Sequence, residues 1–151
     1  MIERRRAHTD DAAALGTLRA AGLIELGKLT PAQREPFATR AANEFARLLE
    51  QGRLVAWLLC ADGEPVGMAC ANYFERLPFP EGTWHAEVSG VYVEPRFRRA
   101  GHASQLVAAV LNDVRTSPAR KVFLRPSAAG RSLYARLGFV EDPTGVMSLP
   151  Q

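Results

Sequence analysis

Cysteine and histidine are scarce in this sequence of 151 residues, which contains two cysteines and three histidines. Cys60 and Cys70 form no C-x-x-C pair, and His8, His85 and His102 lack the spacing of metal ligands, so no metal site is predicted. Neither cysteine has a basic neighbour, and no G-x-S-x-G motif occurs. Covalent catalysis by a protein nucleophile is therefore not expected, and both cysteines are predicted to be reduced core thiols.

Long apolar runs are also missing. No segment is apolar over the roughly 20 residues that a bilayer-spanning helix needs, and the basic start MIERRR is not followed by the apolar region of a secretory signal. A hydrophobic fraction of 47% and a charged fraction of 23% are typical of globular proteins. We expect residues 1–151 to form one domain with no membrane partner and, by default, a cytoplasmic location.

The charge balance is basic, with a net charge of +3 and far more arginine than lysine. Such a balance raises the question of a nucleic-acid partner. Three arginines lie in one loop and the others are scattered, without a groove-reading or base-stacking motif. A nucleic-acid partner is therefore not predicted, although nucleic-acid binding is kept as a minor alternative.

A strand, a basic loop and a helix follow one another in residues 85–115. Val88 to Val93 is apolar and β-branched, and Pro95 ends the strand because proline donates no ladder hydrogen bond. No acid occurs in the first turn of the helix, and its first N–H groups lack internal partners, so this helix start predicts a phosphate site. The helix itself is predicted from one apolar face, formed by Ala103, Leu106, Val107, Val110, Leu111 and Val114.

The N-terminal third predicts one strand and two helices. Ile2 to Arg6 has the pattern of an edge strand with outward arginines. Thr9 or Asp10 is expected to cap a helix, which is interrupted over residues 22–30. Pro31 suits the first turn of a second helix, and Gly52 ends it.

The middle of the chain predicts a β-hairpin. Leu54 to Ala61 and Val66 to Phe74 are its strands, joined by a turn over residues 62–65. This turn places Cys60 opposite about Gly67, so no disulfide with Cys70 is expected. A proline-rich loop over residues 77–82 leads to the strand at His85.

The C-terminal part predicts a strand, a short helix and a closing hairpin. Lys121 to Arg125 forms the strand, and Ser127 caps a helix that Gly138 ends. Phe139 to Glu141 and Val146 to Leu149 are predicted to pair around the turn Asp142-Pro143-Thr144-Gly145. Together these elements predict an α/β (α+β) fold with a mixed sheet and helices packed on it.

One motif suggests a different function and is set aside. Gly22 to Lys28 fits the opening of a nucleotide-binding P-loop. Leu29, however, stands where that loop needs a Ser or Thr to hold magnesium, and the preceding residues are helical. A nucleoside-triphosphatase is not expected.

Two segments resemble a known family. Residues 98–103, RRAGHA, fit the R/Q-x-x-G-x-G/A signature of the GNAT N-acetyltransferase superfamily, between a strand and an amphipathic helix as in that family. Residues 132–139, SLYARLGF, resemble its late LY-x-x-x-GF segment. The resemblance implies the GNAT fold, a central mixed and mostly antiparallel sheet flanked by about four helices. It covers essentially the whole chain, although its specific motifs lie within residues 87–104 and 127–139.

The resemblance implies acetyl-coenzyme A (acetyl-CoA) as co-substrate. Its pyrophosphate would lie on the loop that runs into the helix, where backbone N–H groups converge. Its pantetheine arm would pair with the exposed edge of Val91, Tyr92 and Val93. Ser127 stands where many members have an Asn that contacts this arm. The residues implied for the phosphates are Arg98, Arg99, Ala100, Gly101, His102, Ala103 and Ser104, with Arg96 as a further candidate.

Glu87 and Tyr134 are the catalytic candidates. An amine with a pKa of about 10.4 is protonated at neutral pH, so a base must remove a proton before attack. Glu87 lies on the strand before the loop, at a position that resembles the catalytic glutamate of some members, and alternation predicts that it shares a face with Ser89, Val91 and Val93. Tyr134 is carried over as the hydrogen-bond donor to the departing thiolate.

Three functions follow, in order of support. The first is an N-acetyltransferase acting on a primary amine of a small molecule or peptide, in a ternary complex, and family members are often homodimers. The second is a catalytically silent acyl-CoA-binding sensor of the same fold, and the third is nucleic-acid binding. The acceptor's walls are expected in residues 22–31, in residues 75–83 and in the final hairpin, near Tyr73, Phe74, Trp84 and His85.

Overall fold

Five strands form one sheet in a computed structural model of the chain, which describes residues 1–143 and 145–150. The sheet order follows the chain order, and every neighbouring pair is antiparallel except the last, which is parallel. The prediction of a mixed, mostly antiparallel sheet is confirmed. The strands are β1 (Ile2–Arg6), β2 (Leu54–Ala61), β3 (Glu64–Glu75), β4 (Trp84–Val93) and β5 (Lys121–Leu124).

Four α-helices flank the sheet: α1 (Ala12–Glu25), α2 (Arg34–Glu50), α3 (His102–Arg115) and α4 (Arg131–Arg136). A 3-10 turn over Thr9–Asp11 precedes α1, so Asp11 rather than Thr9 or Asp10 is its N-cap residue. None of the described helices is long and apolar enough to cross a membrane.

The two faces of the sheet bury different helices. On the face we call the α3 face, Leu106, Val107, Val110 and Val114 of α3 pack against Ala86, Val88 and Val93 of β4. On the α1 face, Leu15 and Leu18 of α1 pack against Leu58, Met68 and Cys70 of the hairpin strands, with Phe45 and Leu48 of α2 behind them. Period-two alternation along the strands produces this division.

Helices α1 and α2 lie against each other at a glycine. A Cβ built at Gly16 would stand 2.5 Å from the carbonyl oxygen of Ala38. The close approach of the two backbones therefore requires glycine at this position.

The predicted β-hairpin is present as β2 and β3, but the pairing register near the turn differs from the predicted one. Asp62 and Gly63 alone form the turn, because Ala61 pairs with Glu64. An irregularity after Leu59 places Cys60 opposite Pro65 and not opposite Gly67 as predicted. Both cysteines are free and buried.

The predicted closing hairpin is wrong. Within the described part of the C-terminal segment, residues 139–141 and 146–149 form no strand, and Val140, Val146, Met147 and Leu149 are exposed. Such short runs carry too few apolar positions to fix a pairing register. Thr144, in the predicted turn, lies outside the described residues.

Candidate active site

A cleft opens where β4 and β5 separate. The two strands pair only from His85–Lys121 to Val88–Leu124, and β5 ends there while β4 continues to Val93. Over residues 89–93, this edge of β4 therefore has no strand partner within the described residues. Its backbone N–H and C=O groups are available to an extended ligand, which would add to the sheet as a strand. The cleft has a volume of about 330 Å³.

A β-bulge shapes the floor of this cleft. Gly90 and Val91 together oppose the single residue Ala69, because Ser89 pairs with Cys70 and Tyr92 pairs with Met68. Gly90 has φ = +66°, a conformation that suits glycine at the first position of such a bulge. The extra residue leaves backbone groups of β4 outside the ladder, beside the cleft.

The bulge corrects the predicted alternation along β4. Val91 and Val93 pack into the core of the α3 face, as Val88 does before the bulge. Tyr92 packs on the α1 face, the side to which Glu87 belongs by alternation with Val88. Glu87 therefore shares its face with Tyr92, not with Val91 and Val93, because the extra residue reverses the parity.

The cleft brings the two catalytic candidates together. Both Glu87 and Tyr134 line it, as do three of the residues predicted to bind the cofactor arm. Those three are Val91, Tyr92 and Ser127. Val93 is 6% exposed and packs in the core, so only its backbone is available at the end of the edge.

Glu87 stands at the boundary between this cleft and a second cavity. Its side chain is 20% exposed and forms an ion pair with Arg125, which follows β5. The second cavity has a volume of about 970 Å³. Glu87, Leu124 and Arg125 border both spaces, so one carboxylate faces two adjoining sites.

Tyr134 projects from α4 into the cleft and is half-buried. Its ring meets Phe139 edge-on, with centroids 6.0 Å apart and an interplanar angle of 77°. A Cβ at Gly130 would lie 2.9 Å from Tyr134 Cε2, so the glycine at this position makes room for the ring. Burial raises the pKa of the Tyr134 phenol above its ordinary value. The hydroxyl is therefore neutral at physiological pH and able to donate a hydrogen bond.

The predicted phosphate loop ends in an open helix start. Gly101 is the N-cap residue of α3 and has φ = +78°, while Arg99 before it has φ = +65°. The N–H of Gln105 donates to Gly101 O at 3.1 Å, so the N–H groups of residues 102–104 precede the first helical bond. A Cβ built at Gly101 would meet no atom within 4 Å, which leaves the space above this turn open.

Residues on either side of Gly101 have different environments. Ala100 is exposed, and Ser104 is half-buried. Ala103 packs against the core of the α3 face, as its place in the apolar pattern predicted. His102 has a buried Nδ1 that lacks a hydrogen-bond partner within the described residues.

Arg98, predicted to face phosphate, is held by the protein itself. Its Nε donates to Val93 O at 2.7 Å, and its Nη2 contacts Glu25 of α1 at 2.6 Å. The guanidinium also lies over the Tyr92 ring, 5.6 Å from the centroid. In this structure Arg98 joins the loop to α1. Arg96 similarly pairs with Glu94 and lies over Phe97.

Ser127 has a structural contact as well as a place in the cleft. It precedes the 3-10 turn Ala128–Gly130, and its Oγ accepts from Gly130 N at 3.2 Å. The serine therefore caps the turn that leads into α4, as predicted, while its hydroxyl proton is free to point at a ligand.

The second cavity includes some of the predicted acceptor walls. Phe74, Arg76 and Val146 line it, whereas Tyr73 points to the α3 face. Asn72, Phe123 and Arg131 also line it and were not predicted. Their signal was weak, because Asn72 and Phe123 meet only through the register of three strands, and Arg131 reaches the cavity from α4.

Two further observations concern the P-loop motif and possible metal ligands. Helix α1 continues through Gly22 to Glu25, so this segment does not form a P-loop. The structure contains no group of three or more His, Cys, Asp or Glu able to hold a metal within residues 1–143 and 145–150.

Comparison with known proteins gives a consistent family and fold. The family model described as acetyltransferase (GNAT) family matches residues 24–139. A comparison of the sequence with curated proteins gave no significant match.

Solved structures match the chain over nearly its whole length. A predicted acetyltransferase from Clostridium acetobutylicum, solved with acetyl-CoA, has a TM-score of 0.87 at 21% identity, covering 99% of this chain and 96% of that one. A GCN5-related N-acetyltransferase from Ralstonia eutropha JMP134 has a TM-score of 0.83 at 25% identity, with 100% and 99% coverage. A ribosomal-protein-alanine N-acetyltransferase from Brucella melitensis has a TM-score of 0.73 at 21% identity, with 100% of both chains covered.

Proposed function

The chain belongs to the acetyltransferase (GNAT) family, and from this premise we propose that it transfers an acetyl group from acetyl-CoA to a primary amine in a ternary complex, with residues 1–151 acting as one domain. The observation that carries the proposal is the single cleft lined by the free edge of β4, Glu87 and Tyr134. A thioester arm and two groups suited to proton handling would meet there.

The binding site fits a phosphorylated co-substrate with an extended arm. The N–H groups of residues 102–104 and the open space at Gly101 suit a pyrophosphate. Arg99 is exposed beside them. The free edge over residues 91–93 suits the amides of the arm, and Ser127 lines the same cleft. When bound, acetyl-CoA supplies the acetyl thioester.

Glu87 is the proposed base. It lies where the cleft meets the second cavity, which we propose holds the acceptor. The carboxylate accepts a proton from the acceptor's ammonium group, directly or through one water, so that the nitrogen lone pair becomes free to attack. Arg125 holds the carboxylate at this boundary.

Tyr134 is the proposed donor to the leaving sulfur. A phenol with a pKa near 10 is a weaker acid than a thiol near 8.5, so full proton transfer would be uphill by about 2 kcal/mol. Burial raises the phenol's pKa further. Tyr134 therefore stabilises the developing thiolate by a hydrogen bond, while backbone N–H at the β4 bulge polarises the thioester carbonyl.

Release of free thiol from acetyl-CoA in the presence of an amine panel tests the proposal. Cys60 and Cys70 are 1% and 2% exposed, so the protein's own thiols give little background. We expect amine-dependent thiol release, reduced about 100-fold by Glu87→Gln and at least tenfold by Tyr134→Phe.

Two matched variants control for unfolding and for loss of a charge or hydroxyl elsewhere. Tyr73→Phe changes a tyrosine that lines neither the cleft nor the second cavity, and Glu44→Gln changes an exposed acid of α2. Both should retain activity. Tight binding of coenzyme A without thiol release from any amine would reject the transferase in favour of the silent binding module.

A further inference from the structure

Two rows of side chains cross the α1 face at the uncovered end of the sheet. Strand register aligns Asn72, Glu87 and Phe123 in one row, and Phe74, His85 and Lys121 in the next. The rows are two residues apart along the strands, about 7 Å. Phe74 and Phe123 join them, with ring centroids 5.9 Å apart. The row that contains Lys121 therefore lies next to the row that contains Glu87, the proposed base.

Positive charge along this face is only partly neutralised. Four basic residues line the second cavity together with three acids, Glu87, Glu141 and Asp142, so the lining carries one more positive than negative charge. Two of the basic residues form ion pairs, Arg125 with Glu87 and Arg131 with Glu141. The other two, Arg76 and Lys121, form no ion pair with a carboxylate of residues 1–143 or 145–150. Arg76 instead lies over the Phe79 ring, 5.6 Å from its centroid.

His85 lies in the same row and has an unused polar atom. It is 2% exposed, and its Nδ1 has no hydrogen-bond partner in the described chain. Its ring contacts Phe74 and Phe79. Burial lowers the pKa of His85, and the charges of Arg76 and Lys121 lower it further, whereas Glu81 acts more weakly in the opposite direction. A neutral imidazole cannot balance the two cations.

These cations are unfavourable for a plain amine, which approaches as an ammonium ion. Like charges disfavour binding, and the effect is strong where side chains are partly desolvated. An anionic group elsewhere on the same molecule would reverse the sign of the interaction, because Arg76 and Lys121 would then bind it.

We propose that the acyl acceptor is an amine that also carries an anionic group, a carboxylate or a phosphate, several bonds away. Arg76 and Lys121 bind this group while the amine reaches Glu87 in the adjacent row. The proposal rests on the proposed function and on the same reaction. Glu87 takes one proton from the ammonium group, the amine nitrogen bonds to the thioester carbonyl carbon, and the carbon–sulfur bond breaks. The second nitrogen proton passes to solvent, the coenzyme A thiolate takes a proton from solvent, and Glu87 then returns its proton to solvent.

Matched acceptor pairs test this specificity. Steady-state acetylation of 4-aminobutyrate is compared with butylamine, 5-aminopentanoate with pentylamine, and 3-aminopropyl phosphate with propylamine. We expect kcat/KM at least tenfold higher for one anionic member than for its plain partner. The carboxylate and phosphate arms show which anion is preferred.

Variants locate the effect. Lys121→Gln and Arg76→Gln should each raise KM for the anionic acceptor several-fold and raise kcat/KM for the plain amine, because each removes a cation that disfavours the ammonium ion. Arg40→Gln removes an exposed positive charge from α2 and should preserve the preference for the anionic acceptor. This variant controls for the long-range electrostatic effect of losing one cation. Equal efficiency within every pair, or a preference that survives both cavity variants, would overturn the proposal while leaving the transferase intact.

A binding measurement decides the case in which no acceptor turns over. Such a result rejects the proposed function, and calorimetric titration of pentanoate and of propyl phosphate then tests the anion site alone. The wild-type protein should bind at least one of them in a salt-dependent manner, and Lys121→Gln should not. Equal binding to both proteins, or no binding to either, contradicts the anion site.

Discussion

The carboxylate of Glu87 and the guanidinium of Arg125 form an ion pair across the point where β4 and β5 separate. The pair is asymmetric, because the Glu87 side chain is 20% exposed and that of Arg125 is 64% exposed. The arginine therefore reaches the carboxylate from the solvent side. Since both border the cleft and the second cavity, Arg125 is in a position to orient the proposed base toward the acceptor.

The Arg125→Gln substitution tests this positioning role. We expect kcat/KM to fall about tenfold, because a misplaced catalytic group loses part of its advantage of orientation. Arg125→Lys should recover part of the loss. In a Glu87→Gln background, Arg125→Gln should have little further effect, since the two residues act through one contact. Fully additive losses in this double-mutant cycle would contradict the role.

A substitution at Gly101, in the proposed phosphate loop, should affect both the folding free energy and the affinity for coenzyme A, and a control variant can separate the two effects. Gly101→Ala places a side chain at φ = +78°, which costs about 1–2 kcal/mol of folding free energy, and fills the open space above the helix start. We expect the dissociation constant for coenzyme A, measured by calorimetry, to rise about tenfold or more. Gly63→Ala is the matched control, because Gly63 has φ = +85° and also has nothing near its Cβ position, but lies in the distant hairpin turn.

Gly63→Ala should lose similar stability and keep its affinity for coenzyme A. If the two variants lost affinity equally, the effect would come from backbone strain alone. The proposed phosphate site would then lose its support at Gly101.

The bulge predicts a second glycine effect, at Gly90. A Cβ there would stand 2.9 Å from Met68 Cε, and the alanine would have to adopt the left-handed backbone conformation at φ = +66°. We expect Gly90→Ala to lower the free energy of unfolding by about 1–3 kcal/mol. Removing the bulge would also move the backbone groups beside the cleft, so kcat should fall more than coenzyme A affinity. Met68→Ala in the same chain relieves the contact but not the φ strain. Full rescue by Met68→Ala would show that the contact, and not the backbone conformation, matters.

The sequence predicted the elements whose signal is local. The apolar face of α3, the edge strand at Ile2–Arg6 and the β2–β3 hairpin are all present. Their positions follow from periodicity and turn residues, which depend on neighbours within a few positions. Glu87 and Tyr134 were predicted from family motifs, and the structure places both on one cleft.

Long-range relationships were not predictable in the same way. Arg125 and Glu87 are 38 residues apart in the chain, and only the parallel β4–β5 register brings them together. The bulge at Gly90 moved Val91 and Val93 to the opposite face from Glu87, because one extra residue reverses the alternation. Arg98 matched a phosphate-binding signature, yet Glu25, 73 residues away, holds it.

Acid unfolding provides a final prediction, at Asp11. Its carboxylate accepts bidentate hydrogen bonds from Arg5 at 2.8 and 2.9 Å, and one from His8 N at 2.8 Å. The arginine lowers the pKa of Asp11 from its ordinary value of 3.8 to about 2. A carboxyl group with a depressed folded-state pKa adds stability above its unfolded-state pKa and loses it as pH falls through the folded-state value.

We expect Asp11→Asn to reduce the free energy of unfolding by about 1–2 kcal/mol at pH 7, allowing for the partly exposed Arg5. The difference from wild type should shrink between about pH 4 and pH 2, as measured by urea unfolding across that range. Asp10→Asn, at an exposed neighbour, should show no such convergence, and a difference for Asp11→Asn that is constant with pH would exclude the ion pair as its cause.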